Sequence, residues 1–408
     1  MSHPLLAARM TRVRPSPTAV ISDKVRALLA QGKPVINLGE GELSFDTPDH
    51  IKAAGIAAIQ RGDTKYTAVA GTAALLHAIA AKFERDNGLR YASNELIAGT
   101  GAKQLIFNAL MATIDAGDEV LLCAPYWVSY PDMVGLAGGT ARILSSTAEA
   151  GWKLQPETLR AAITPKTRWL ILNSPNNPSG AIYSRAELQA LTDVLLEHEH
   201  VLLMADDIYE LVRYGTPFFT PAQVEPRLKE RTLTVNGVSK SYSMTGWRLG
   251  YAGGPAWLIG AMQTLQSQST SNASTISQAA AIAALEGDTS FFDVWRDTLA
   301  DNRQCVLDTV ARCAGLHCEV SEGAFYAFVS CAGLIGAQTP DGQILDSDLA
   351  VADYLLASAY VGVVHGAAFG TPGYLRLAYA VEPAQLQDAC ERIADACAML
   401  TLPVAHPA

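Results

Sequence analysis

A single lysine, Lys240, stands among small and hydroxyl residues in the run Thr234 to Gly254, TVNGVSKSYSMTGWRLGYAGG, with Arg248 eight positions further on. It follows a β-rich run, Thr232 to Val235, and a turn at Asn236-Gly237, which places it on a loop at a strand end, where α/β proteins gather side chains around a ligand. Most lysines are solvated surface groups, and one that works as a nucleophile or base needs partners that lower its pKa. Asp206-Asp207-Ile208-Tyr209 closes the strongest apolar run, Val201 to Ala205. A carboxylate at Asp206 is either a helix cap or the counter-charge of a cation in the cleft, such as a protonated pyridine nitrogen, and Tyr209 would then face the same ring.

Other strand ends carry polar or aromatic groups of the same kind. Asn173-Ser174-Pro175-Asn176-Asn177-Pro178-Ser179-Gly180 follows Arg168 to Leu172; it reads as a turn, or as a rigid loop that offers Asn177 as a donor. Trp127, in Ala124-Pro125-Tyr126-Trp127, would fill a core or stack on a flat ring. Gly99-Thr100-Gly101-Ala102-Lys103-Gln104 leaves a strand and opens an amphipathic helix through Ile114, so it is either a tight turn or a place where backbone N–H groups meet an anion such as phosphate. The dinucleotide fingerprint would need glycine at Gln104, and the P-loop pattern is not met. Arg376, inside the apolar run Leu375-Arg376-Leu377, calls for a carboxylate from the protein or from a substrate.

The elements that must hold these groups alternate from about residue 50. Leu96 to Gly99, Glu119 to Cys123, Arg168 to Leu172, Val201 to Ala205, Thr232 to Val235 and Leu249 to Gly253 read as short strands separated by helical windows or loops. That pattern predicts an α/β fold with a mostly parallel sheet covered by helices on both faces and a ligand at the strand carboxyl ends. After Gln263 long helical windows take over, followed by strands at Phe325 to Val329, Gly362 to Val364 and Tyr374 to Tyr379 and a closing helix from Pro383 to Leu400. We therefore expect an N-terminal arm with part of a small domain over 1–48, a large domain over 49–290 and an α+β small domain over 291–408. In the arm, Arg14-Pro15-Ser16-Pro17-Thr18 is read as non-helical, Ser22 to Gln31 as an amphipathic helix with Val25, Leu28 and Leu29 on one face, and Thr47 as a helix cap.

At 408 residues the chain exceeds one ordinary core, and 49% apolar with 17% charged residues describes a packed globular protein. A net charge of −10 without a basic block argues against nucleic acid and anionic membrane and for a small-molecule partner. No stretch reads as membrane-spanning or as a signal peptide, so a cytoplasmic location is expected. The seven cysteines show no CxxC pair and read as free thiols, with no metal site.

Taken in order, Lys240, Asp206-x-x-Tyr209, Asn177-Pro178-Ser179-Gly180, the strand-end Trp127 and the late Arg376 resemble the pattern of the fold type I pyridoxal-phosphate aminotransferases. The likeness is greatest to the bacterial aspartate aminotransferase subgroup of class I. It runs from Arg14-Pro15-Ser16 through Tyr66 and Pro125-Tyr126-Trp127-Val128-Ser129-Tyr130-Pro131 to the last helix. The resemblance implies pyridoxal 5'-phosphate held on Lys240 as a Schiff base, with Lys240 then moving a proton between substrate Cα and the cofactor. It implies that Asp206 keeps the ring nitrogen protonated, that Tyr209 and Asn177 bond the ring oxygen, and that Trp127 stacks on the ring. Gly101, Ala102, Ser239 and Arg248 would hold the phosphate, with Lys103 in the same turn and Tyr66 reaching over from a second subunit. Gly41, Asn177 and Arg376 would bind the substrate α-carboxylate beside Trp127. A site shared in this way implies an obligate homodimer.

For the substrate, the position of the partner-chain arginine found in animal and enteric aspartate enzymes matches Ser267 here, whereas the subgroup's distal-carboxylate lysine and N-terminal hydroxyls match Lys103, Ser16 and Thr18. The implied substrates are aspartate and glutamate with a 2-oxo acid. Broader, aromatic or prephenate specificity, or a lyase on the same fold, are the alternatives; a regulatory module without turnover would want a basic patch, which is lacking. The chain departs from the family pattern at Leu43 and His365, where proline is expected.

Overall fold

The computed structural model of the chain describes residues 5–403. The strands are β1 (Ile36–Asn37), β2 (Leu96–Gly99), β3 (Glu119–Ala124), β4 (Thr140–Ser145), β5 (Thr167–Asn173), β6 (Leu202–Asp206), β7 (Thr232–Gly237), β8 (Gly250–Gly253), β9 (His317–Cys318), β10 (Tyr326–Ser330), β11 (Val361–Gly362), β12 (Val364–His365) and β13 (Tyr374–Ala378). Seven of them form the main sheet in the order β2-β8-β7-β6-β5-β3-β4. β8 pairs antiparallel with both neighbours, and every other pairing in this sheet is parallel.

The central strands are apolar almost throughout because both of their faces are covered. Along β3, β5 and β6 the side chains alternate. Val120, Leu122, Trp169, Ile171 and Met204 pack with Leu105, Leu110 and Met262 of the helices Ala102–Thr113 and Ala256–Ser267. Leu121, Leu170, Leu172 and Leu203 pack on the other face with Leu159, Leu188 and Leu191 of Pro156–Ala162 and Arg185–Leu196. This is the covered α/β sheet that the sequence predicts. β4 is an addition: its residues, TARILS, carry too little apolar character to stand out, and it forms by parallel pairing at the edge of β3.

A four-stranded antiparallel sheet, β12-β13-β10-β9, and the short parallel pair β1-β11 make the second layer. Leu38 and Leu43 of the N-terminal segment pack in the same core as Phe325, Leu377 and Leu386. Two local expectations are corrected. The helix Pro17–Ala30 includes Pro17 and Thr18, because proline at the first helical position loses no hydrogen bond; Val25 faces the core, while Leu29 is exposed. Thr47 caps nothing: its hydroxyl donates to the Ser243 carbonyl at 2.6 Å, and Asp49–Arg61 starts after Pro48 without a side-chain cap.

Candidate active site

Six strands of the main sheet run the same way, and five of them lead into the site at one edge. β2 leads there into Gly101, Ala102 and Lys103, β3 into Trp127, β5 into Asn177, β6 into Asp206 and β7 into Ser239 and Lys240. β8 runs the other way, so the residue that reaches this edge is the one before the strand, Arg248. With Ser16 and Thr18 at the start of the helix Pro17–Ala30, Gly41 from the segment after β1, and Tyr326 and Arg376 from the small sheet, these residues line one cavity of about 510 Å³.

At one end, Gly101 takes φ +85°, and a Cβ there would press on the Arg248 guanidinium, so only glycine fits. The helix Ala102–Thr113 begins at this glycine with no side-chain cap. Its positive end and the Arg248 cation together suit an anion. Arg248 is itself held in a left-handed turn, φ 53°, and donates to the Thr245 carbonyl at 2.9 Å.

At the floor, Asp206 is 4% exposed. One carboxylate oxygen accepts the Tyr130 hydroxyl, the other is buried without a partner, and burial pushes the carboxyl up to about 6. Asp206 therefore caps no helix; it presents a free buried oxygen, which fits a protonated ring nitrogen. Asn173 ties two strand ends together, donating to the Asp206 carbonyl at 2.8 Å and accepting the Asn177 backbone N–H at 2.8 Å. Tyr209 and Tyr326 join through their hydroxyls at 2.7 Å. The Lys240 amine donates to the Gly41 carbonyl. Burial first, and then the Arg376 charge, bring it down to about 8 from the usual 10.5. An amine in that range is neutral often enough near neutral pH to act as nucleophile and base.

Arg376 is buried in β13, and its guanidinium donates to neutral oxygens, Asn177 Oδ1 at 3.0 Å and the Gly39 carbonyl, leaving Nε without a partner. Its ion-pair capacity thus faces the cavity. Lys103 is exposed at the mouth with its amine 4.8 Å from the centre of the Trp127 ring, and the Ser16 and Thr18 hydroxyls bond each other at 2.8 Å. A flat, anionic cofactor with a ring nitrogen fits this set: a lone buried carboxylate oxygen, a depressed lysine, an aromatic face and an uncapped helix end beside an arginine.

Two predicted positions lie apart from the cavity. Tyr66 is 91% exposed, so it serves no site in its own chain. Ser267 ends the helix Ala256–Ser267 with its hydroxyl on the Thr264 carbonyl at 2.7 Å. Neither departure from the family pattern lines the cavity: Leu43 packs in the small-sheet core, and His365 sits on β12 with a buried, unpartnered Nδ1. The sequence reading gave no role to Tyr130, Asn173 or Tyr326, which hold Asp206, Asn177 and Tyr209. Tyr130 and Asn173 lie inside segments already singled out; nothing in the sequence near Tyr326 signals its contact.

The model of the family "Aminotransferase class I and II" matches residues 33–393. A probable aspartate/prephenate aminotransferase of Rhizobium leguminosarum bv. phaseoli is 51% identical, covering 96% of this chain and 98% of its own. An aspartate aminotransferase of Rhizobium meliloti strain 1021 is 50% identical over 97% of each chain. Among solved structures, the aspartate aminotransferase from Rhizobium meliloti superposes with a TM-score of 0.94 at 50% identity, covering 97% of this chain and 99% of that one. The Thermus thermophilus aspartate aminotransferase with maleate follows at 0.90 and 40%, covering 96% and 99%. The fold, the lysine-centred cavity and these likenesses over nearly the full length agree: the chain belongs to the class I and II aminotransferase family.

Proposed function

We propose that this aminotransferase exchanges the amino group of acidic L-amino acids, aspartate and glutamate above all, with a 2-oxo acid, using pyridoxal 5'-phosphate as resident cofactor. The observation that carries the substrate reading is the pair of cations in one cavity: Arg376, buried and unmatched by a protein carboxylate among the described residues, and Lys103, exposed at the mouth with the Ser16–Thr18 hydroxyl pair. A dicarboxylate offers one carboxylate to each. The Thermus relative, whose structure holds the dicarboxylate maleate, supports the same reading.

In this reading Asp206 pairs with the ring nitrogen, Tyr209 and Asn177 meet the ring oxygen, and Trp127 covers the ring. Gly101, Ala102, Ser239 and Arg248 hold the phosphate, with the partner's Tyr66. When bound, the cofactor supplies an electron sink for the carbanion left as Cα loses its proton. The protein's own work is positional and acid–base. Arg376, with Asn177 and the Gly41 segment, fixes the α-carboxylate and so turns the Cα–H bond toward Lys240. Lys240, neutral above about pH 8, accepts that proton and returns it at the neighbouring carbon. Lys103, Ser16 and Thr18 hold the distal carboxylate and thereby select acidic side chains.

The exposed Tyr66 supports a homodimer with shared sites, and the shared core of Leu38, Leu43 and Phe325 supports grouping 1–48 with 291–408 as the small domain around a large domain at 49–290. No helix among the described residues is long and apolar enough to cross a membrane; we read the protein as cytoplasmic. Prephenate is a second acceptor to consider, since relatives bear that name and it is a 2-oxo acid with a further carboxylate. The test is a half-reaction titration of the loaded enzyme with aspartate, glutamate, phenylalanine and alanine, following cofactor absorbance. Fast conversion confined to aspartate and glutamate is expected; equal rates with phenylalanine or alanine would remove the acidic specificity, and ammonia release without a new amino acid would point to a lyase.

A further inference from the structure

Tyr326 is a residue to which the family resemblance gives no role. It is 1% exposed, comes from β10 of the small sheet, and lines the cavity. Three contacts fix it. Its hydroxyl lies 2.7 Å from that of Tyr209, and either oxygen could be the donor. The same hydroxyl packs on Gly41, where any Cβ would collide with it. The Arg376 guanidinium lies 4.5 Å from its ring centre.

A hydroxyl has one proton to donate. If Tyr209 spends it on an anionic ring oxygen, it has none for Tyr326, and the 2.7 Å contact survives only with Tyr326 as donor. We propose that Tyr326 is a positioning residue that donates its proton to Tyr209 and so commits the Tyr209 proton to the ring oxygen of the cofactor. The inference rests on the cofactor reading above. Burial raises both phenols and the Arg376 charge lowers both, and that charge lies over the Tyr326 ring. Because a donor that also accepts is polarised, Tyr326 strengthens the bond that Tyr209 makes. A consequence follows for the imine that Lys240 forms: a strong donor on the ring oxygen stabilises its anion and therefore favours the unprotonated imine.

The test uses the cofactor-loaded enzyme and reads its visible absorbance against pH, with Tyr326→Phe, Tyr209→Phe and the double variant. Phenylalanine keeps the ring, its packing and the Arg376 contact and removes only the hydroxyl. Tyr209→Phe should move the midpoint up by about one pH unit or more, Tyr326→Phe by about half a unit, and adding Tyr326→Phe to Tyr209→Phe should move it no further. A midpoint unmoved by Tyr326→Phe, or moved equally in both backgrounds, overturns the proposal, because the residue would then not act through Tyr209. If the unaltered protein takes up pyridoxal 5'-phosphate without a visible band, the cofactor reading itself has failed, which is a distinguishable result.

Discussion

Asp206 and Lys103 line the same cavity under opposite conditions. Asp206 lies at the floor, buried, with Tyr130 on its carboxylate and Asn173 on its carbonyl. Lys103 lies at the mouth, exposed, its amine over the face of Trp127. The floor is made of adjacent strand ends whose spacing is fixed by sheet hydrogen bonds, so its groups stay put and their pKa values are set by burial. The mouth is made of one turn of a helix and a distant N-terminal segment, where Lys103 is exposed although partial burial and the Arg248 charge still lower its amine, so charge there is worth less than at the floor. Chemistry should therefore depend on the floor, and substrate choice on the mouth.

That contrast can be broken in order of expected size. Lys240→Ala should remove turnover by a factor on the order of 10⁴, checked by single-turnover kinetics; near-normal rates would displace it from the centre of the floor. The same residue sets a pH dependence. Its amine titrates near 8, below the ordinary 10.5, so the neutral form prevails above that pH and falls about tenfold per unit below it. Attachment of pyridoxal 5'-phosphate to the cofactor-free protein should slow accordingly below about pH 8, and a flat profile would show that Lys240 is not the attachment point.

A buried ion pair lies next to the floor. Lys82 and Glu210, 1% and 3% exposed, bond each other, with Asn87 accepting from the lysine at 2.8 Å and donating to the glutamate at 2.9 Å. Glu210 belongs to the turn that follows Asp206 at the end of β6 and carries Tyr209. Lys82→Ala leaves the buried Glu210 carboxylate without its counter-charge and should cost about 3–5 kcal/mol in denaturant unfolding, while Lys82→Met with Glu210→Leu should recover most of it. A loss under 1 kcal/mol in the single variant would show that water reaches this cluster.

The smallest effects belong to the carboxylate sites, and they sharpen the comparison best. Arg376→Ala should lower kcat/KM by about 2–3 kcal/mol for every amino acid, because all share the α-carboxylate. Lys103→Ala should cost about 1–2 kcal/mol for aspartate and nothing for alanine. Equal losses with both substrates would place Lys103 with the floor and not with the specificity rim.

Lys240, Asp206, Asn177, Trp127 and Gly101 were legible because each follows a β-rich run, and the pattern of strands and helical windows locates strand ends without any tertiary information. Arg376 was legible for another reason: an arginine inside an apolar strand demands a partner. The helix start at Pro17 and the edge strand β4 were not, the first because proline permits a helix to begin where it forbids one to continue, the second because weak residues became a strand only by pairing with β3.

By itself, then, the sequence determined which residue types stand at strand ends, and hence a covered parallel sheet with a lysine, a carboxylate and an arginine that the fold brings to one cavity. The tertiary structure alone decided the pairings: Tyr130 with Asp206 across 76 residues, Tyr209 with Tyr326 across 117, and Arg376 with Asn177 across 199. It also decided that β8 runs backward and so brings Arg248 to Gly101. The reason is physical. Periodicity encodes which face of an element is buried, but strand order, register and the approach of one sheet to another come from the packing of the whole chain, and those set which buried donor meets which acceptor.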